Sequence, residues 1–221
     1  MVFATDPSEP PMEYLNEAKQ IVGLDADMVK AMADAGGFKA ELICAQWDSI
    51  FSGLQAGKYD AVISSVTVTE QRKASMDFSD AYLPAGQAIL VKSDSPISGA
   101  KDLSHRTVGV AWPPAAEEIA KLQTSVPLTR KAFESEAQAV NALASGEIDA
   151  LLLDEPFALY HAQKDPHYKG TLRTAGSPVG SQVYAVAVRK GNSGVQGQIN
   201  RALSKVRGAG IDLQIRKKWL E

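Results

Sequence analysis

Apolar runs of strand length alternate with amphipathic runs of helix length from the start of the chain. The segments AELICAQ and YDAVISS are typical of buried strands. The segment IVGLDADMVKAMADAGG has helical periodicity and ends at Gly36 and Gly37, which favour a helix C-terminus, and WDSIFSGLQAGK predicts a second helix. This βαβα order predicts an α/β fold with a sheet of largely parallel strands.

One pattern of helix end, glycine, Asp-Ala and buried strand occurs twice, as LQAGKYDAVISS and as LASGEIDALLLD. Gly57 and Gly146 stand where a helix C-terminus favours a left-handed residue, and Asp60 and Asp149 open the strands. Any α/β protein can repeat such a link. Both strands nevertheless end in polar residues, and ligands of open α/β sheets bind beyond the carboxyl ends of strands. The repeat therefore predicts two similar units whose strand ends face a common cleft.

Two later strands are predicted to connect these units, GQAILVKSD and SQVYAVAVRKGN. The chain then leaves a first lobe, builds a second and returns to the first. We expect a discontinuous first lobe of residues 1–88 and 186–221, a second lobe of residues 89–185, and a hinge made of the two connecting strands.

Composition and charge narrow the functional classes. The 221 residues are 45% hydrophobic and 22% charged, as in an ordinary globular protein. A formal charge of −3 without a basic stripe gives no reason to expect a nucleic-acid partner. No apolar run is long enough to span a membrane, and no signal peptide is visible, so a secreted protein would be present in its mature form.

The residues that ligate metals are sparse in this chain. Cys44 is the single cysteine, so the sequence predicts no disulfide framework and no thiolate metal cluster. His105, His161 and His167 are scattered and do not have the spacing of a zinc site. We expect neither a metal nor another cofactor.

The stretch YDAVISSVTVTEQRKASMDFS carries the most suggestive chemistry, because a hydrophobic strand runs into several hydroxyl groups and then Arg72. A guanidinium offers a planar fork that matches the two oxygens of a carboxylate. The stretch could therefore bind a small anion. The alternative is a solvated helix start on which Arg72 forms a surface ion pair.

The ordered set of segments resembles the family 3 solute-binding proteins, the periplasmic receptors of polar amino-acid ABC importers. The resemblance covers essentially the whole chain and rests on ATDPSEPPMEY, IVGLDADMVKAMA, QWDSIFSGLQAGKYDAVISSVTVTEQR, MDFSDAY, DLSHRTVGV, LLLDEPFALY, AVAVRKGN and IRKKWL. It implies an α/β, two-lobed periplasmic-binding-protein-like fold of type II, a flytrap with a two-strand hinge that closes over one ligand.

The resemblance also implies how the charged ends of an amino acid are held. Arg72 matches the arginine that binds the ligand's carboxylate, and Ser65 and Thr67 match positions that add hydroxyl or backbone donors. Asp154 matches the acid that binds the α-ammonium group from the other lobe. A helix N-cap before Pro156 is an alternative role for Asp154, compatible with the first.

Further ligand contacts are implied at both ends of the expected cleft. Trp47 matches an aromatic residue that lies against the ligand, with core packing as the alternative, and Asp6 matches a position that contacts the ligand's distal group. The expected ligand-binding set is completed by Tyr14, Ser64 and Ala115.

The segment VGVAWPPAAEEIAK departs from the family pattern, which has a Gly-Ser/Thr-Thr turn whose N–H groups bind the carboxylate. Pro113 and Pro114 have no N–H, and Ala115 has no hydroxyl. Trp112 adds a large ring that could cover the ligand or stack on a cation. Glu9 stands where relatives often have an aromatic residue. With these donors missing, either Arg72 binds the carboxylate nearly alone or the ligand is not an ordinary α-amino acid. The changes favour a ligand with positive charge, although Glu9 could equally be a solvated loop residue.

Three functions follow from the resemblance. The first is a monomeric, non-enzymatic receptor that delivers an amino acid or a related amine or carboxylate to the membrane subunits of an ABC importer. It would be periplasmic or extracytoplasmic, with or without a lipid anchor. The second is the extracytoplasmic sensor domain of a membrane receptor such as a histidine kinase. A distant third is a cyclohexadienyl dehydratase-like enzyme, with Glu155 or Glu9 as its acid.

Overall fold

Two five-stranded sheets organise the protein, one in each of two units. The computed structural model describes residues 1–111 and 113–221. Unit 1 consists of Met1–Pro84 and Val183–Trp219, and unit 2 consists of Ala85–Gln182 with Leu220–Glu221. Helices and strands alternate in both units, so the predicted α/β class is confirmed.

The elements follow one another along the chain as β1 (Val2–Thr5), β2 (Ser8–Glu9), β3 (Glu13–Leu15), β4 (Ile21–Val22), α1 (Leu24–Gly36), β5 (Glu41–Cys44), α2 (Trp47–Gln55), β6 (Ala61–Val62), α3 (Glu70–Ser75), β7 (Met76–Pro84), β8 (Gln87–Lys92), a 3-10 helix (Ala100–Leu103), β9 (Thr107–Val110), α4 (Pro113–Leu122), β10 (Thr129–Ala132), α5 (Glu136–Ser145), β11 (Ala150–Asp154), α6 (Glu155–Gln163), β12 (Leu172–Val179), β13 (Val183–Arg189), α7 (Ser193–Gly208) and α8 (Ile211–Leu220). Within the described ranges, no helix combines the length and apolar character that a membrane crossing requires.

The two sheets have corresponding strand orders, β5-β1-β6-β13-β7 in unit 1 and β10-β9-β11-β8-β12 in unit 2. In unit 1, β1 runs parallel to β5 and β6, whereas β13 is antiparallel to β6 and β7. In unit 2, β9 runs parallel to β10 and β11, whereas β8 is antiparallel to β11 and β12. The predicted parallel pairing is therefore confirmed for three strands of each sheet. The prediction of largely parallel sheets is wrong for the remaining pairs, because β8 and β13 run in the opposite direction.

The repeated glycine–Asp-Ala pattern forms the same local structure in both units. Gly57 and Gly146 adopt positive φ values of 72° and 80°, which glycine tolerates without the clash of a Cβ. The Oδ2 atom of Asp60 accepts a hydrogen bond from the Val2 N–H at 2.7 Å, and that of Asp149 accepts one from the Thr107 N–H at 2.8 Å. Each aspartate thus fixes the start of the neighbouring parallel strand.

The chain passes between the units at Pro84–Ala85 and at Gln182–Val183. These points precede the expected boundaries by a few residues, because β8 pairs within unit 2 and β13 pairs within unit 1 along their lengths. Both change-over points lie immediately before the two strands that were expected to connect the lobes. The hinge and the lobes 1–88 with 186–221 and 89–185 stay predictions about motion.

A three-stranded sheet, β2-β3-β4, accompanies the main sheet of unit 1 and places the loop after β1. Its middle strand carries Glu13, which is 1% exposed, and it leads through β4 into α1, whose Asp25 is 0% exposed. Two acidic side chains therefore lie inside unit 1, close to the polar end of β6.

Candidate functional site

Arg72 lies in the first turns of α3 and is held in place from two sides. The Thr69 hydroxyl caps the helix by accepting the Arg72 N–H at 3.2 Å, and Arg72 Nη1 donates to the Thr67 carbonyl at 2.8 Å. The guanidinium carbon is 5.5 Å from the ring centre of Trp47 and 5.3 Å from that of Phe51. Two aromatic rings and one carbonyl thus fix the direction of the charge.

The partly buried guanidinium of Arg72 has no acidic partner among the residues that the structure describes. The alternative of a surface ion pair is therefore wrong. Burial lowers the pKa of Arg72, and the opposing influence of Tyr184 is smaller, but a guanidinium remains protonated in proteins. Nη1 binds Thr67, and the remaining N–H groups stay available to an anion.

Trp47 begins α2 and is 39% exposed, so the alternative that it packs in the core is wrong. Its ring stands edge-on to Phe51, with centroids 5.1 Å apart and planes at 74°. The Trp47 N–H donates to Asp6 Oδ2 at 2.7 Å. Asp6 thereby places a negative charge at the N-terminus of α2, where the helix dipole favours it, and one of its oxygens is already used.

The hydroxyl of Ser64 is embedded in an internal network. It accepts hydrogen bonds from the Asp6 N–H at 3.0 Å and from the Thr5 hydroxyl at 3.3 Å, and it donates to Glu13 Oε1 at 3.0 Å. Its single hydrogen therefore points to Glu13. Ser64 connects the loop after β1 to the end of β6, and its predicted contact with a ligand stays untested.

Ser65 and Thr67 form the turn that leads to Arg72. Ser65 has φ = 49°, an uncommon conformation for a residue with a Cβ. Its N–H donates to Asp25 Oδ2 at 3.0 Å and its hydroxyl to Glu13 Oε2 at 3.3 Å. Thr67 is 6% exposed and is bridged to Tyr184 of β13.

Glu9 and Tyr14 lie on the small sheet of unit 1. Glu9 is partly buried and pairs with Glu13 across β2 and β3, so the alternative of a solvated loop residue is wrong. The Tyr14 ring stands edge-on to Trp219 of α8, with centroids 6.2 Å apart. None of the contacts described for Tyr14 links it to the group of Asp6, Trp47, Thr67 and Arg72.

Asp154 is the last residue of β11 in unit 2 and is 7% exposed. Gln87, at the facing position of β8, donates from Nε2 to Asp154 Oδ1 at 2.7 Å. Asp154 occupies the N-cap position of α6 before Pro156, but its side chain makes no cap hydrogen bond. The alternative role as the N-cap residue of α6 is therefore confirmed for its position, without a side-chain hydrogen bond.

Ala115 belongs to the hydrophobic core of unit 2, where it packs with Ile89 and Ile119. The whole residue is 0% exposed, and its predicted contact with a ligand stays untested. Helix α4 begins at Pro113, as expected for a proline in the first helical turn. Trp112, the other ligand contact expected here, lies outside the described residues.

Sequence reasoning missed several residues that contact or position the predicted ligand-binding residues of unit 1 and unit 2. Phe51 follows Trp47 by four residues on one helix, a spacing that places both rings on one face and could have indicated the second aromatic contact of Arg72. No comparable sequence spacing indicated the contacts of Gln87, Glu13 and Asp25. Their partners come from distant parts of the chain and meet them only through the sheet pairing.

No group of metal-ligating side chains suited to an ion occurs in the described part of the chain. The group of residues around Arg72 in unit 1 can bind an anion. The group around Asp154 in unit 2 can bind a cation. Neither group contains a nucleophile paired with a general base. Both groups have the chemistry of ligand recognition.

Comparison with known proteins supports that reading. The family profile of the bacterial extracellular solute-binding proteins, family 3, matches residues 1–221. A probable histidine-binding protein of Neisseria gonorrhoeae is 34% identical over 202 residues, which cover 90% of this chain and 75% of the relative.

Two solved structures extend the similarity to the fold. The second substrate-binding domain of a putative amino acid ABC transporter from Streptococcus pneumoniae has a TM-score of 0.87 at 30% identity, covering 100% of this chain and 99% of that one. An ancestral cationic amino acid solute-binding protein has a TM-score of 0.84 at 31% identity, with 100% and 95% covered. The predicted type II periplasmic-binding-protein fold is thus confirmed, and these similar proteins are named for binding solutes.

Proposed function

Because the chain belongs to the bacterial extracellular solute-binding proteins, family 3, we propose that it binds an α-amino acid with a cationic side chain for uptake by an ABC importer. The observation that carries this proposal is the orientation and the unneutralised charge of the Arg72 guanidinium. Its guanidinium is oriented by Thr67, Trp47 and Phe51, and no carboxylate among the described residues neutralises it.

Arg72 would bind the ligand's α-carboxylate. A guanidinium that is already oriented loses little conformational entropy when it binds, and its flat fork can pair with both carboxylate oxygens. Partial burial strengthens this interaction, since water screens it less than it would at the surface. Ser65 and Thr67 would line the same end of the ligand, as the family resemblance implies.

Asp154 would bind the α-ammonium group. Gln87 holds one of its oxygens at 2.7 Å and thereby fixes the plane of the carboxylate. A fixed, largely buried acid interacts more strongly with an ammonium group than a mobile surface acid does.

Two departures from the family pattern support a cationic side chain. Pro113 and Pro114 remove N–H donors from the start of α4, so that helix offers an anion less help. Glu9 adds an acid to the small sheet of unit 1. A relative named for histidine and an ancestral structure named for cationic amino acids agree with this ligand class.

We also propose that the receptor is a monomer located outside the cytoplasmic membrane, free or lipid-anchored, and that it docks on the membrane subunits of its importer. The family description as extracellular supports this location.

Calorimetry with L-arginine, L-lysine, L-histidine and L-glutamine tests the proposal, with agmatine as a probe that lacks the α-carboxylate. We expect the cationic amino acids to bind most tightly and agmatine to bind at least about 100-fold more weakly than L-arginine, the loss of two charge-assisted hydrogen bonds. Tight binding of agmatine, or of L-glutamine in preference to all three cationic amino acids, would contradict the proposed ligand class.

A further inference from the structure

Glu13 and Asp25 lie beneath the turn that carries Ser65 and Thr67, which we call the 64–67 turn. The two acids are 1% and 0% exposed. Glu9 on β2 adds a further negative charge that faces Glu13, and Tyr82 of β7 faces Asp25. Among the described residues, neither buried acid forms an ion pair with a lysine or arginine. Two carboxyl groups are thus buried together without a cation.

These acids hold the 64–67 turn directly. Glu13 accepts the hydroxyls of Ser64 and Ser65, at 3.0 Å and 3.3 Å, and Asp25 accepts the Ser65 N–H at 3.0 Å. Ser65 needs this support, because its φ of 49° is costly for a residue with a side chain. The turn continues to Thr67, whose carbonyl orients Arg72. The position of Arg72 therefore depends on the acid pair.

One atom of the pair lacks the partner that its burial demands. Asp25 Oδ1 is buried and meets no donor within hydrogen-bond geometry among the described residues, while the buried Tyr82 hydroxyl lies close enough to Asp25 to lower its pKa. Buried polar atoms are nearly always hydrogen-bonded, since leaving one unpaired is costly. The Tyr82 hydroxyl is one donor near Asp25, and a proton on Glu13, directed at Asp25, would be a second.

Electrostatics favours the same arrangement. Burial, followed by the charge of Asp25, raises the pKa of Glu13 well above its usual range. Burial raises the pKa of Asp25 to about 6, although the Ser65 N–H opposes the rise. Two adjacent buried carboxyls cannot both ionise cheaply, so they titrate as a unit. Such a pair retains a proton to higher pH than an isolated carboxyl does.

We propose that Glu13 and Asp25 are positioning residues of the ligand site, which share one proton and through it keep the 64–67 turn in the form that orients Arg72. This inference rests on the proposed role of Arg72 in binding the ligand. When alkaline pH removes the shared proton, two like charges repel inside unit 1 and the turn loses its support. Ligand affinity then falls by a route separate from ionisation of the ligand.

The variant Glu13→Gln is the sharpest test, because the amide has the shape of the acid and carries hydrogens at every pH. Both proteins meet the same ionisation of L-arginine, so the ratio of their dissociation constants isolates the acid pair. We expect the ratio of variant to wild type to fall by roughly 10-fold as the pH rises through the titration of the acid pair, equivalent to one pKa unit. Glu17→Gln, an exposed acid on the following loop, is the control and should leave the ratio constant.

Carbon-13 NMR of the Asp and Glu carboxyls tests the shared proton without any ligand. We expect one protonated carboxyl at neutral pH in the wild type, assigned by its loss in Glu13→Gln or Asp25→Asn. Two ionised carboxylates, or a Glu13→Gln variant with the wild-type pH profile of binding, would overturn the proposal. If Tyr82→Phe changes the profile and Glu13→Gln does not, the tyrosine supplies the hydrogen and the shared proton is wrong.

Stability gives a second readout for Asp25→Asn. The pKa of Asp25 is about 6 in the folded protein, against about 3.9 in an unfolded chain. Between these values the folded state binds more protons, so the free energy of unfolding contributed by Asp25 falls as pH rises through this window. The variant Asp25→Asn has no carboxyl that titrates at this position, so its free energy of unfolding does not fall in this way. The difference between variant and wild type should therefore shift in favour of the variant from about pH 4 to about pH 6. A constant difference would contradict the buried acid pair.

Binding of L-arginine by Arg72→Ala separates this inference from the proposed function. Unchanged affinity in that variant would refute the role of Arg72, whereas the NMR titration would still decide whether the proton is shared. Loss of affinity in Arg72→Ala, combined with an unchanged pH profile in Glu13→Gln, would refute the positioning role alone.

Discussion

The guanidinium of Arg72 lies over the indole ring of Trp47 in unit 1. The guanidinium carbon lies 5.5 Å from the centre of the indole ring, and both residues are anchored by backbone hydrogen bonds at helix starts, Arg72 to Thr69 and Trp47 to Asp6. A cation held against an aromatic face keeps its charge while it loses part of its water shell. This pair is therefore preorganised to meet an anionic group.

Replacement of Arg72 should remove binding with little effect on folding. We expect Arg72→Ala to weaken L-arginine binding at least about 100-fold, since two charge-assisted hydrogen bonds contribute about 1.5–3 kcal/mol each. Arg72→Lys should recover little of this loss, because one ammonium group cannot reproduce the fork. Calorimetry measures both variants.

The neighbouring Lys73 provides the matched control for Arg72. It lies on the same helix and forms an exposed ion pair with Glu70, so Lys73→Ala should bind like wild type. Near wild-type affinity in Arg72→Ala or Arg72→Lys would show that the carboxylate is bound elsewhere.

The indole ring of Trp47 should contribute to ligand affinity. Trp47→Leu removes the larger aromatic partner of Arg72, and we expect affinity to fall by roughly 3- to 30-fold, the range of a cation–π contact. Trp219→Phe is the control, because Trp219 packs on Tyr14 in the same unit. Equal affinities of the two variants for L-arginine, measured by calorimetry, would argue against a role for Trp47.

Gln87 should affect ligand affinity, because it positions the carboxylate of Asp154. Gln87→Leu removes the donor at 2.7 Å from Asp154 Oδ1, and we expect roughly 10-fold weaker binding, as for one hydrogen bond to a charged group. Gln123→Leu, which removes an exposed bond to the Leu128 carbonyl in the same unit, should leave binding unchanged. If Asp154→Asn also binds L-arginine normally, the ammonium group is not held here.

His161 should make unit 2 sensitive to pH. Both ring nitrogens contact acids, Glu136 and Asp165, each at 2.8 Å. Burial lowers the pKa of His161, but these two acids outweigh it and raise the pKa above its ordinary value. The added stability is full below the unfolded pKa of about 6.5 and is lost as pH rises through the higher folded value.

Thermal unfolding of His161→Gln over this pH range tests that expectation. The variant should be less stable than wild type at acidic pH, and the difference should shrink as pH rises. The control is His167→Gln, since His167 contacts the same Asp165 but its side chain is 82% exposed. A difference between His161→Gln and wild type that does not change with pH would contradict the charged imidazole.

The sequence by itself determined the local elements and their order. Periodicity located helix α1 and its end at Gly37, because a left-handed glycine at a C-cap is a local requirement. The repeated glycine–Asp-Ala link predicted two similar units, and the same hydrogen bond from the start of the neighbouring strand recurs at Asp60 and Asp149. Arg72 was identified as a candidate anion anchor by its chemistry and by the family resemblance.

Only the tertiary structure decided which side chains meet. Strand direction is set by pairing with distant partners, so the antiparallel course of β8 and β13 was not visible in their apolar patterns. The same pairing brings Gln87 to Asp154, and the packing of α1 on the small sheet buries Glu13 with Asp25. Such contacts join residues far apart in the chain, and their energies depend on burial, which no short stretch of sequence encodes.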